Sequence, residues 1–148
     1  VKFFGFFIII LVAGCFSPER SISGQLPYFK FIGARYVSTE AFFLTERGGE
    51  RLLQREKKSS LVTGPTLEEF KRGEWDNERH GRQYLKVLPE GTIFEICDVT
   101  YEFHVEAGHM TNWYVRIAGQ GSGADNPPIQ VFVRQEGNKI EIPGMKKE

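Results

Sequence analysis

The chain is poor in cysteine, with two among 148 residues, Cys15 and Cys97. Two thiols cannot build the disulfide framework that holds many small secreted domains together. Folding must therefore rest on a core. An excess of charge of one sign is equally lacking. Nineteen Lys and Arg balance nineteen Asp and Glu, for a formal net charge of zero. That is poor evidence for nucleic acid, whose binding needs a concentrated basic field, so no nucleic-acid partner is expected. Helical patterning is sparse, with no heptads and no internal repeat. Sixteen Gly and seven Pro favour turn-rich β structure over a bundle. What the chain does hold is apolar and aromatic side chains. Its hydrophobic share is 41%, with thirteen Phe, enough to exclude wholesale disorder and to fill one domain's core.

One long apolar run stands apart, at the start of the chain. Val1–Cys15 reads VKFFGFFIIILVAGC, with Lys2 ahead of the apolar stretch Phe3–Ala13. As a helix that stretch would rise about 16 Å, well short of a ~30 Å hydrocarbon core. A charged start, a short apolar run and small residues before a cut site form a secretory signal pattern. Val12-Ala13-Gly14-Cys15, directly after the apolar run, resembles the lipobox of bacterial lipoproteins. The resemblance implies that residues 1–14 are a signal peptide and that Cys15 becomes the lipidated mature N-terminus. The lipid on Cys15 would then hold the protein to a membrane of the cell envelope, stably if two or more acyl chains are attached. Phe16, where the family's sorting rule would read Asp as retention, implies the periplasmic face of the outer membrane in a Gram-negative cell. The alternative is an ordinary cleaved signal with an incidental cysteine.

Ser17–Gln25, SPERSISGQ, is polar and reads as a short tether. The chain thus divides into a signal at 1–14, a lipidated cysteine and tether at 15–25, and a single β-barrel-like domain at 26–148. Within that domain period-two patterns dominate. Val99, Tyr101, Phe103 and Val105 alternate with Asp98, Thr100, Glu102 and His104, which predicts a half-buried strand. Trp113, Val115 and Ile117 predict the inward positions of the next strand, and Ile129, Val131 and Val133 those of another. Gly137-Asn138 turns the chain toward Ile140–Ile142, a closing hairpin. The one helix signal is Thr66-Leu67-Glu68-Glu69, a capping box with Thr66 as N-cap, Phe70 on the apolar face and Gly73 as the stop. Gly119–Pro128 is a loop, with no helix behind it to cradle phosphate.

The economical fold is mostly β. We expect a small antiparallel barrel or sandwich of about five to seven strands with one short helix in a charged excursion, Arg47–Arg82. Leu88-Pro89-Glu90-Gly91-Thr92 leading into a long strand, with an Asn-Trp-Tyr-Val strand after it, resembles the bacterial Src-homology-three-like barrels over roughly Tyr36–Ile142. The resemblance implies such a barrel, here with an excursion the typical one lacks.

The chemistry-bearing residues are few. Cys97 shares parity with Ile93 and Val99, which predicts a core thiol. His104, Glu106 and His109 form H-x-E-x-x-H, a minority candidate for a metal site because zinc accepts imidazole and carboxylate ligands. It lacks the helical i, i+4 histidine pair. No nucleophile–base pair is visible, no catalytic residue is expected and no cofactor is implied. Phe94, Tyr114 and Phe132 fall at supposedly outward positions of three strands. They are the candidate binding residues, either an aromatic platform or a patch hidden under the excursion. These readings point to a non-catalytic, membrane-anchored envelope lipoprotein whose β domain binds a protein or a cell-wall peptide such as that of peptidoglycan. A metal-dependent protein and an accessory subunit of an envelope complex are the alternatives.

Overall fold

The computed structural model describes residues 16–56, 64–74, 81–104, 107–121 and 123–148. Cys15 and the apolar run before it, Lys57, Lys58, Trp75, Glu106 and Ser122 lie outside the described residues. The fold is mostly β. In chain order the strands are β1 (Phe16–Ser21), β2 (Arg35–Ser38), β3 (Phe42–Arg47), β4 (Glu50–Arg55), β5 (Gln83–Leu88), β6 (Ile93–His104), β7 (Gly108–Ile117), β8 (Ile129–Val131), β9 (Arg134–Glu136), β10 (Lys139–Glu141) and β11 (Met145–Lys147). One α-helix, α1 (Leu67–Lys71), follows β4, and a 3₁₀ turn, Tyr28–Phe31, precedes β2. The strands outnumber those expected because several span only three or four residues, too short to show alternation in the sequence.

Nine strands form one sheet in the order β11-β2-β6-β7-β8-β4-β3-β5, with β1 added on β6, and β9 pairs with β10 apart from it. All pairings are antiparallel except that of β4 with β8, which rests on Leu52 opposite Gln130. The sheet curls until Phe42 of β3 meets Phe94 of β6 edge to face, ring centres 6.3 Å apart. Trp113, Val115, Ile129, Leu44 and Leu53 fill the enclosed core. Tyr28 and Phe31 close it by packing edge to face on Trp113 at 5.9 and 5.5 Å. Edge-to-face pairs of this kind add roughly 0.5–1.5 kcal/mol each beyond the area they bury.

The centre of the sheet is β6, and its register explains much of the rest. One of its edges is paired with β7 along nearly the whole strand. The other is shared, with β2 beside Ile93–Glu95 and β1 beside Thr100–His104. Ser17–Gln25, which reads as a tether, is therefore corrected in part: it lies within and just after a strand. Its polar residues meet a polar sheet face, with Ser21 Oγ and Ser23 Oγ donating to Asp98 Oδ1 at 2.6 and 2.5 Å. Between β1 and β2 the chain loops away, carrying the 3₁₀ turn over Trp113, and rejoins β6 where the Gly33 amide donates to Ile96 O at 2.8 Å.

Pairing of β6 with β7 shifts between Ile96 and Asp98, so Cys97 is the extra residue of a β-bulge. A one-residue insertion reverses which side chains point inward. Phe94 and Ile96 thus join Val99 in the core. Parity counted back from Val99 without the bulge places Phe94 outside, and that expectation is overturned.

Elsewhere local signals hold. Thr66 Oγ1 accepts from the Glu69 amide at 3.1 Å while the Glu69 carboxylate accepts from the Thr66 amide at 2.8 Å, a complete capping box. The helix it starts sets Phe70 edge to face against Phe43 of β3, 5.3 Å away, beside Tyr84 of β5. At Leu88–Thr92 the Thr92 hydroxyl donates to Pro89 O at 2.6 Å, and the Ser38 amide ties the turn to β2 through Thr92 O at 2.9 Å. Asn126, buried, donates to Ile117 O and Gly121 O at 2.9 and 2.8 Å and pins the glycine-rich loop to the end of β7.

Candidate functional site

The three aromatic residues singled out in the sequence do not come together. Phe94 is 0% exposed and belongs to the core. Tyr114 lies on the outer face of β7. Phe132 stands at the end of β8 and is 67% exposed. Among the described residues of the excursion, Phe70 covers a different part of the outer face, Phe43 and Tyr84. No shared platform exists, and each residue has its own surroundings.

Phe132 borders an opening into the core. β8 leaves its ladder with β7 after Val131, opposite Trp113. Because the ladder of β4 with β8 has only the register pair Leu52 and Gln130, the two strands part beyond that point. They leave a groove of about 260 Å³ floored by Phe42, Leu53, Val131 and Ile142, with Phe132 on its lip. Arg55 and Arg134 form the charged rim. Arg55 is held by an ion pair with Glu40, and the Arg134 guanidinium lies 3.9 Å from Glu141. Gly144 sits beside the groove at φ 81°, where an added Cβ would lie 2.9 Å from the Phe42 ring. Glycine is required there on both counts, since L side chains avoid that backbone region and no room exists for one. Apolar floor and aromatic lip are the ingredients of a pocket for a short apolar segment.

Tyr114 belongs to a polar network on the outer face. Its hydroxyl donates to Glu19 Oε1 at 2.7 Å, and the Thr100 hydroxyl donates to the same oxygen. Asn112 Nδ2 donates to Glu102 Oε1 at 2.8 Å, and Gln130 Nε2 to Asn112 Oδ1 at 3.0 Å. Burial pushes the Glu19 carboxyl up, but hydrogen bonds from Thr100, Tyr114 and Asn112 outweigh it and hold the group below its usual range. Burial, then the bond to Glu19 and that carboxylate's charge, push the Tyr114 hydroxyl well above an ordinary tyrosine. With its proton committed to Glu19, Tyr114 acts as a strut between β1 and β7. A polar cleft of about 500 Å³ opens beyond Gln130, walled by Arg47, Glu50, Leu52 and Arg82. Arg82 Nη1 donates to Thr45 Oγ1 at 3.2 Å.

Cys97 in the bulge is half-buried and donates to Tyr114 O at 3.5 Å. Burial raises its thiol above the ordinary value, which favours the protonated form over the thiolate. Of the minority metal candidates, Glu106 lies outside the described residues, and His104 is placed only by its backbone, opposite Phe16 and Gly108. His109 Nδ1 is hydrogen-bonded to the Tyr101 hydroxyl, the two rings stacked 5.3 Å apart. Among the described residues no three His, Cys, Asp or Glu side chains are gathered to hold a metal ion, and no helix is long and apolar enough to cross a membrane.

The groove around Phe132 is the feature that sequence reasoning missed. Its floor joins β3, β4, β8 and the segment before β11, and nothing local in the sequence brings these together. Phe132 itself carried the one available signal, a large apolar residue at an outward position. Comparison with known proteins found no match, neither a family model nor a curated sequence nor a solved structure.

Proposed function

We propose that this chain is a lipid-anchored protein of the bacterial cell envelope whose β domain is a non-catalytic binding module. Its groove beside Phe132 takes an apolar segment of an envelope protein or of a cell-wall peptide. The observation that carries this reading is the exposed Phe132 ring at the mouth of an opening to the core. A large aromatic left in water beside a ready apolar floor is the usual form of a contact centre. Burying such a ring against a partner is worth about 1.5–3 kcal/mol. The groove's lining residues supply neither a general base nor a nucleophile, which supports binding over catalysis. The anchor rests on the lipobox resemblance at Cys15.

The test is co-sedimentation of the full chain, held in detergent, with purified peptidoglycan at low and moderate salt, together with cross-linking in native membranes. Saturable, salt-resistant pelleting or a discrete cross-linked partner is expected, weakened at least about tenfold by Phe132→Ser, the loss of roughly 1.4 kcal/mol or more of contact energy. Capture that is undiminished in the variant would contradict the groove. Pelleting that vanishes with salt would mark mere charge contact.

A further inference from the structure

Exposed large apolar side chains are concentrated in one short stretch of the described residues. Leu26 is 78% exposed, Phe29 53% and Ile32 36%. They recur every third residue along the 3₁₀ turn Tyr28–Phe31 and its flanks. Within the turn Tyr28 and Phe31 stand three residues apart, so their side chains eclipse and share one side, while Phe29 lies off that side and Leu26 and Ile32 flank the turn. The side shared by Tyr28 and Phe31 packs on Trp113. The stretch is thus apolar on both sides, with one side already used by the core. Lys30 lies between the exposed residues, its ammonium 4.9 Å from the Phe31 ring, and Arg20 precedes them over the Tyr101 ring.

The place of this patch in the chain argues for its occupant. β1 begins at Phe16, directly after Cys15 and the apolar run Phe3–Ala13. No tether separates the anchor from the folded domain. β1 rises roughly 20 Å in its six residues, and the chain then passes into the patch. A domain attached so closely is held near the lipid surface. Because β1 is an edge strand paired only with β6 among the described residues, Leu26, Phe29 and Ile32 past its far end reach the same surface when β1 lies along it. A lipid chain combined with a second membrane contact is also what makes anchoring durable.

We propose that the Leu26–Ile32 turn is a membrane-docking surface. Leu26, Phe29 and Ile32 enter the interfacial layer of the bilayer, while Lys30 and Arg20 meet anionic headgroups. The proposal rests on the anchored reading of the chain and adds to it a fixed orientation of the domain.

The test places a nitroxide probe on Leu26→Cys, and separately on Asn138→Cys in the β9–β10 turn as the control. Both use a Cys97→Ser background and the full chain reconstituted into vesicles of phosphatidylethanolamine and phosphatidylglycerol. Flotation with the vesicles is scored first, then collision of each probe with oxygen and with a water-soluble nickel chelate. The expected result is flotation, with the oxygen-to-nickel ratio at position 26 rising severalfold over that at position 138. If the chain floats but the probe at 26 is as open to the chelate as the control, docking is overturned while the anchor stands. If the chain does not float, anchor and docking fall together.

Discussion

The Tyr114 hydroxyl donates to the Glu19 carboxylate at 2.7 Å across 95 positions of sequence, and so fastens β1 over β6 to β7. Glu19 also accepts from Thr100. Because these bonds hold its carboxyl below the ordinary range, the stability they contribute is present above the unfolded carboxylate's titration. It is lost as pH falls through the depressed folded value. Thermal midpoints measured from neutral pH into the acid range should therefore fall for the native chain. They should start lower and fall less steeply for Glu19→Gln.

The raised Tyr114 titration works at the other end of the scale. Its folded form keeps the proton that the unfolded chain releases near the ordinary tyrosine value. The contribution is thus full below that value and fades as pH climbs above it. Tyr114→Phe should remove that alkaline loss, read as the change in thermal midpoint between neutral and strongly alkaline buffer.

Phe94 and Phe132 separate core from surface. Phe94→Ala opens a cavity in the centre of the sheet and should cost about 3–5 kcal/mol, enough to leave a marginal domain largely unfolded in denaturant titration. Phe132→Ser removes an exposed ring and should change stability by no more than ~0.5 kcal/mol. A large loss of stability in the second variant would show that Phe132 belongs to the core.

Thr66→Ala removes the cap of α1 and should cost about 1 kcal/mol, seen as a lowering of the thermal midpoint by ~3 °C. The same variant should loosen Phe70 from Phe43 and Tyr84, which proteolysis near the helix would detect.

The Cys97 thiol, half-buried and raised by burial, should react with a maleimide or disulfide reagent far more slowly in the folded chain than in denaturant. Equal rates would show that the bulge opens freely.

These residues also mark how far the fold was legible in the sequence. The mostly β fold, the strands around Trp113 and Val131 and the Thr66 capping box follow from period-two alternation and a four-residue motif, both local. The bulge at Cys97 leaves the apolar sequence of β6 unbroken while reversing the parity of Phe94, so no counting along the chain reveals it. Ser17–Ser21 looks solvated because its polarity is real; what the sequence hides is that Thr100, Asp98 and Tyr114 offer it polar partners. The groove depends on the short ladder that pairs Leu52 with Gln130, a meeting of two distant strands that neither strand announces.

The most direct test of the account is the mass of the chain's N-terminal peptide after expression in a bacterial host and recovery from its membranes. A peptide that begins at Cys15 and carries a diacylglyceryl group on sulfur is expected, absent when Cys15→Ser is expressed. A mature peptide with an unmodified Cys15, or a membrane-free protein cut elsewhere, would contradict it.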